Sequence, residues 1–89
     1  MFLHLGENVA VRKRDIIAIL DIKSALNSKD SREFLEMCEE EGFVVKVEND
    51  KLCSLIIAGT VKNGTVYRIK VYGSPISALT LQKRAHFIK

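Results

Sequence analysis

The stretch Ile16-Ile17-Ala18-Ile19-Leu20 is apolar at every position and rich in β-branched side chains. Such a run is typical of a strand that is covered on both faces rather than of a half-exposed one. A chain of 89 residues can bury only a modest core. We therefore expect the strand to be covered either by helices of the same chain or by a partner subunit.

Further strand signals surround this stretch. Apolar segments at residues 2–5, 9–11, 43–47 and 52–58 each predict a short strand. Gly6 is expected to end the first of them, and a tight turn at Asn49-Asp50 is expected to join the last two as a hairpin.

A second hairpin is predicted at Asn63-Gly64, because both residues tolerate the positive φ of a type I′ turn. A two-residue loop there places three pairs of residues opposite each other: Val61 and Val66, Thr60 and Tyr67, Ala58 and Ile69. Strand alternation then puts Thr65, Tyr67, Ile69 and Val71 on one face of the last strand. Arg68 and Lys70 project from the other face.

Two helices are predicted. Residues 30–41 form the first, with Asp30 and Glu33 as a capping box and Gly42 as the left-handed residue after its end. Ser74 and Pro75 are expected to open the second. Its apolar stripe consists of Ala78, Leu81, Ala85 and Ile88. The prediction is an α+β fold: one domain, residues 1–89, with a small mostly antiparallel or mixed sheet of about five to six short strands and two helices.

Composition excludes a disordered chain, since 47% of the residues are hydrophobic and 28% are charged. The net charge is +3, and its distribution is uneven. Eight acidic residues lie between Asp30 and Asp50, whereas Lys51 to Lys89 contains seven basic residues and no acidic one. Solvated charges that maintain solubility are one interpretation of this pattern, and a nucleic-acid partner is the other.

No segment has the length and apolarity of a membrane span or the layout of a secretion signal. The two cysteines, Cys38 and Cys53, have no paired spacing and are expected to be buried and reduced. A cytoplasmic protein without a membrane partner is therefore expected.

No catalytic or cofactor motif is recognisable: the chain has no glycine-rich phosphate loop, no GxSxG and no HExxH. Four potential metal ligands, His4, Cys38, Cys53 and His86, lack the spacing of a zinc site. We expect no catalytic residue, no metal, no cofactor and no small-molecule substrate. An enzyme remains the third class of function, to be reopened by a deep pocket with several polar groups.

The basic cluster Arg12-Lys13-Arg14 lies between two apolar segments, so it is expected on a loop or strand end held by a rigid scaffold. Three adjacent cations suit phosphates, which release counterions when they are neutralised. The six aromatic residues mostly occupy predicted core positions, which disfavours binding of single-stranded RNA. No helix-turn-helix pair is present.

Two blocks of the sequence resemble the RemA/RemB family of small bacterial extracellular-matrix regulators. The first consists of Leu3-His4-Leu5-Gly6, Asn8-Val9-Ala10-Val11 and Arg14-Asp15-Ile16-Ile17-Ala18-Ile19-Leu20-Asp21. The second, Ser74-Pro75-Ile76-Ser77 with Thr80-Leu81-Gln82-Lys83-Arg84-Ala85, is similar to the closing segment of the RemB branch. Together they cover about half of the chain.

The resemblance implies a transcriptional regulator of biofilm-matrix genes that binds double-stranded DNA as a ring-shaped homo-oligomer. It implies that Arg14 contacts DNA. It also implies a second basic site in a turn between two strands, which reads Asn49-Asp50-Lys51 here and keeps one cation, Lys51, beside the acidic Asp50. The expected DNA-binding residues are Arg12, Lys13, Arg14 and Lys51.

A second interpretation stays open beside DNA binding. The chain would then be a non-enzymatic oligomeric scaffold or protein-interaction module without direct DNA contact. Asp50 and the acidic run Glu39-Glu40-Glu41 favour it.

Overall fold

The computed structural model describes residues 1–6, 8–46 and 51–86. Its elements are, in chain order, β1 (Phe2–Gly6), β2 (Val9–Arg12), β3 (Ile16–Asp21), α1 (Ile22–Asn27), α2 (Lys29–Glu40), β4 (Val44–Lys46), β5 (Ser54–Lys62), β6 (Thr65–Ser74) and α3 (Ala78–Arg84). A 3₁₀ turn, Lys13–Asp15, connects β2 to β3. The predicted α+β class is confirmed, with three helices instead of two.

The strands form two sheets. β1 and β2 make an antiparallel ribbon, and the other four strands follow the order β3-β5-β6-β4. β4 runs parallel to β6, while β5 is antiparallel to both β3 and β6. The predicted hairpin of residues 43–47 with 52–58 is therefore wrong, because both edges of β5 are already paired. Its expected turn, Asn49-Asp50, and Val47 lie outside the described residues.

The hairpin at Asn63-Gly64 is confirmed near its turn, where Val61 pairs with Val66 and Thr60 with Tyr67. Asn63 and Gly64 have φ values of 51° and 78°, as a type I′ turn requires. The third predicted pair is wrong, because Ala58 lies opposite Lys70 instead of Ile69.

A β-bulge in β6 causes this shift. Between two paired positions β5 advances by two residues and β6 by three, so one extra residue is accommodated in β6. Arg68, inside this segment, has a φ of 57°, a left-handed conformation that few residues other than glycine adopt. Beyond the bulge the alternation is reversed, so Tyr67 and Val71 lie on opposite faces and not on one.

All three helices begin at a side chain that accepts a backbone hydrogen bond. Asp21 caps the short helix α1, which the sequence analysis missed, by accepting from the Ser24 N–H at 3.1 Å. Ser28, not Asp30, caps α2, because α1 ends one residue earlier and leaves Ser28 extended between the two helices. Ser77, not Ser74, caps α3.

Ser74 is committed to other contacts. It ends β6 opposite Ser54, and its buried hydroxyl donates to the Leu5 carbonyl at 2.6 Å. The Ser54 hydroxyl, also buried, donates to the Ile76 carbonyl at 2.7 Å. These bonds connect β6 to β1 and fix the segment that leads into α3.

The end of α2 is as predicted. Gly42 has a φ of 76°, and its N–H donates to the Glu39 carbonyl, while the Phe43 N–H donates to the Cys38 carbonyl at 2.8 Å. These two bonds define a Schellman ending.

Elements of the same chain cover both faces of the four-stranded sheet. On one face, β1, β2 and α3 enclose a cluster that contains Leu5, Ile56 and Leu81, all of which are fully buried. On the other face, α1 and α2 cover a second cluster around Cys38 and Val71. The predicted cover of β3 on both faces fails at Ile17, which is 44% exposed. The apolar stripe of α3 is confirmed at its buried positions Ala78, Leu81 and Ala85, and Ile88 lies outside the described residues.

Candidate nucleic-acid interface

The predicted basic cluster lies where the ribbon meets the sheet. Arg12 ends β2, and Lys13 and Arg14 form the 3₁₀ turn that leads into β3. The Lys13 N–H donates to the Met1 carbonyl at 3.0 Å, which fixes the turn against the start of β1. Arg12 and Arg14 are exposed, and Lys13 is half-buried. The rigid location expected from the sequence is therefore observed.

Three open cavities adjoin the cluster, and Arg12 lines all of them. The first, of about 310 Å³, also adjoins Met1, Lys13 and Arg14. The second, of about 280 Å³, adjoins Arg14 and the Gly59 region of β5. The third, of about 260 Å³, extends from Arg12 across the sheet to Arg68, Lys70 and Tyr72 of β6. The side chain of Arg12 thus joins three neighbouring concavities into one surface.

Two basic residues of this surface, Arg68 and Lys70, were not among the predicted site residues. Strand alternation placed both on one face of the last strand, and both do line the same cavity. The missing information was that β2 packs near this part of β6, which depends on contacts between residues more than fifty positions apart. We call Arg12, Lys13, Arg14, Arg68 and Lys70 the basic face.

The basic face contains one carboxylate. Among the residues that line the three cavities, Asp15 is the sole acidic one. Its Oδ2 accepts from Arg12 Nε at 2.9 Å. Five cations and one carboxylate leave a local excess of positive charge, which attracts anions and repels other cations.

Lys51, the fourth predicted residue, is not brought to this surface. It precedes β5 by three positions, at the end where Ser54 pairs with Asp21. The basic turn adjoins the other end of that pairing, where Ile16 lies opposite Ala58. The stretch of β5 from Ser54 to Ala58 alone spans about 14 Å.

The described residues contain no group of three or more His, Cys, Asp or Glu side chains that could hold a metal ion. Cys38 is fully buried in the second cluster, and this burial raises the pKa of its thiol above the ordinary value of 9.0. Cys53 is half-buried, and both cysteines are free. Within the described ranges, no helix combines the length and apolarity needed to span a bilayer.

The comparisons with known proteins agree with the fold and with the resemblance. The model of a family described as "Extracellular matrix regulatory protein A-like" matches residues 2–85. A curated relative, "Extracellular matrix regulatory protein B" of Bacillus subtilis (strain 168), is 36% identical over 88 residues, which cover 99% of this chain and 94% of the relative. The chain therefore belongs to the RemA-like family of extracellular matrix regulatory proteins.

Proposed function

We propose that this family member binds double-stranded DNA through phosphate contacts of its basic face and acts, as a homo-oligomer, as a transcriptional regulator of biofilm-matrix genes. One observation carries the proposal: Arg12 lines three adjoining cavities that also hold Lys13, Arg14, Arg68 and Lys70. Cations from two distant parts of the chain meet on one surface, and one carboxylate accompanies them.

The type of ligand follows from the geometry of these side chains. Guanidinium groups donate in a planar fork that matches phosphate oxygens, and three of the five cations are arginines. Open cavities with exposed cations favour a repeated backbone anion over one enclosed small ligand. Tyr72, the aromatic residue of the third cavity, is half-buried, which leaves little ring surface for an unstacked base.

Self-association is the second part of the proposal. One subunit offers at most a few phosphate contacts, and a duplex bound by so few is released readily at moderate salt. Identical copies that hold their basic faces along one duplex raise the effective affinity without any new type of contact. Within this arrangement Lys51 reaches the duplex from a different copy than the Arg12 beside it.

The test measures fluorescence anisotropy of a long promoter duplex at several salt concentrations. Arg14→Ala and Arg68→Ala are expected to weaken binding to all sequences alike. Each change is expected to lower the slope of log affinity against log salt by about one per lost phosphate contact. Lys23→Ala is the matched control, because Lys23 is an exposed cation on α1, outside the basic face.

Absence of binding at low salt would refute DNA binding. An equal loss in the Lys23→Ala variant would refute the assignment to the basic face, because general charge would then explain the affinity.

The alternative, an oligomeric scaffold that does not contact DNA, is favoured by the acidic helix α2. This helix carries five carboxylates and two cations. Capture of protein partners from nuclease-treated extract distinguishes the two functions. Partners retained by a protein that binds no duplex in the anisotropy assay would support the scaffold.

A further inference from the structure

We propose that copies of this chain associate head to tail, with the β5–β6 hairpin of one copy in an apolar groove beside α1 and α2 of the next. The inference rests on the self-association included in the proposed function and identifies the two surfaces that make it. Both surfaces belong to the same face of the four-stranded sheet and lie at its opposite ends.

The first surface is the outer end of the hairpin, where residues 61–68 are all exposed. Val61 and Val66 form a cross-strand pair and are 60% and 40% exposed. Ile17 joins them, because Val66 Cγ1 and Ile17 Cδ1 both approach the space above Gly59, which has no side chain. We call Ile17, Val61 and Val66 the hairpin patch.

A two-stranded hairpin without cover is marginally stable in water. The hairpin patch extends the face on which Ile57 packs under the helices, but it lies beyond them. Exposed apolar groups that continue a buried cluster are typical of a contact surface.

The second surface is a groove of about 250 Å³. Its walls are mostly apolar, and the exposed side chains at its rim are Leu26 of α1 and Leu52, which are 50% and 39% exposed. Leu52 lies over Gly73, with its Cδ2 atom 3.0 Å from the position that a Cβ of Gly73 would take. On the helix side, Arg32 Nη1 donates to the Leu26 carbonyl at 2.7 Å and fixes the wall. We call this cavity the apolar groove.

Charge identifies the occupant. The hairpin carries Lys62, Arg68 and Lys70 and no carboxylate between Ala58 and Val71. The apolar groove includes two carboxylates, Glu36 and Glu39 of α2, with Arg32 as its one cation. A convex, basic, apolar end thus matches a concave, acidic, apolar groove, and every copy of the chain carries both.

The positions of the two surfaces exclude a two-fold contact. Leu55 lines the groove, and Val61 lies six residues further along the same strand, at a separation of about 20 Å. The longest extent of the molecule is 34 Å, so the surfaces lie towards opposite ends. A contact between different surfaces is heterologous, and it leaves one free end of each kind after every addition.

The experiment uses two variants of the full chain and measures their mass by light scattering. Val61→Asp places a negative charge on the hairpin patch, and Leu26→Asp places one in the groove. Each variant alone is expected to be monomeric, because each of its contacts includes one defective surface. An equal mixture is expected to form a dimer, because the intact hairpin of the Leu26→Asp chain fits the intact groove of the Val61→Asp chain. Growth stops there, since the remaining ends join two aspartates.

Leu79→Asp is the control, because Leu79 is 54% exposed on α3, which covers the other face of the sheet. It is expected to keep the wild-type mass. A monomeric wild-type protein would refute the self-association in the proposed function. An oligomeric wild-type protein whose mass survives either variant, or variants whose mixture stays monomeric, would refute the head-to-tail contact alone. An unrelated protein or ligand in the groove would give the first of these two results.

A charge exchange decides the matter if either aspartate variant does not fold by circular dichroism. Lys62→Glu and Glu36→Lys, both at exposed positions, are each expected to lower the assembled fraction. Their combination in one chain is expected to restore part of it. Additive losses in the double variant would refute the contact.

Discussion

The buried hydroxyl of Ser74 donates to the carbonyl of Leu5 at 2.6 Å across 69 positions of the chain. It also accepts from the Ile76 N–H at 3.1 Å. One side chain thus satisfies two backbone groups, and it joins the ribbon that carries Arg12 to the sheet that carries Arg68. The geometry of the basic face depends on this connection.

Ser74→Ala is expected to lower the free energy of unfolding by about 1–3 kcal/mol, because it leaves the buried Leu5 carbonyl without its partner. Chemical denaturation measures the change. Ser24→Ala, at an exposed position of α1, is the control and is expected to change stability by less than about 0.5 kcal/mol. Equal stability of the Ser74→Ala protein and wild type would show that water replaces the lost bond.

Asp15→Asn is expected to strengthen DNA binding at low salt, because it removes the one carboxylate among the residues lining the cavities of the basic face. The lost ion pair with Arg12 costs little, since exposed pairs contribute at most about 1 kcal/mol. Anisotropy titration of the same duplex measures the gain. Glu33→Gln removes an equal charge from an exposed position of α2 and is expected to give a smaller gain. Weaker binding by the Asp15→Asn protein would mean that Asp15 orients Arg12.

Gly59→Ala is expected to destabilise the protein by about 1–3 kcal/mol. The new Cβ would lie 3.0 Å from Val66 Cγ1 and 3.2 Å from both Ile17 Cδ1 and the Tyr67 carbonyl oxygen. A backbone oxygen in a paired strand cannot move away easily. Gly73→Ala is the comparison and is expected to cost less, because its close neighbours are side-chain atoms of the partly exposed Leu52. Thermal unfolding ranks the two, and the reverse order would contradict the packing described.

Cys38 is expected to make stability fall as the pH rises above 9. Burial raises the pKa of the folded thiol above 9.0, so above that pH the unfolded chain releases a proton that the folded protein retains. Ionisation then favours the unfolded chain until the pH passes the folded pKa. Urea denaturation over this range measures the slope, and Cys38→Ala is expected to reduce it. An unchanged slope in that variant would assign the effect to other groups.

Local sequence signals were sufficient where the energy of a conformation depends on neighbouring residues. The Asn63-Gly64 turn and the Gly42 ending of α2 follow from the low cost of positive φ at these residues. The α3 stripe follows from helical periodicity. The cluster Arg12-Lys13-Arg14 was found because its residues are adjacent in the chain.

Distant contacts overruled the local signals elsewhere. Ser74 has the composition of a helix cap, but a buried bond to Leu5 keeps it in β6, and Ser77 takes the cap. β4 follows the acidic helix and precedes β5, yet it pairs with β6, since β5 has no free edge. Pairing preferences between strands are set by sheet order, which no short window of residues contains.

The sequence by itself determined the α+β class, the hairpin turn, the helix ending and three of the five cations of the basic face. The tertiary structure alone decided that Arg68 and Lys70 join them and that Lys51 does not. The bulge at Arg68 and the packing of β2 near β6 arise from contacts across the whole chain. The physical reason is that turns and caps minimise local backbone energy, whereas a charged surface is assembled by burying the apolar residues beneath it.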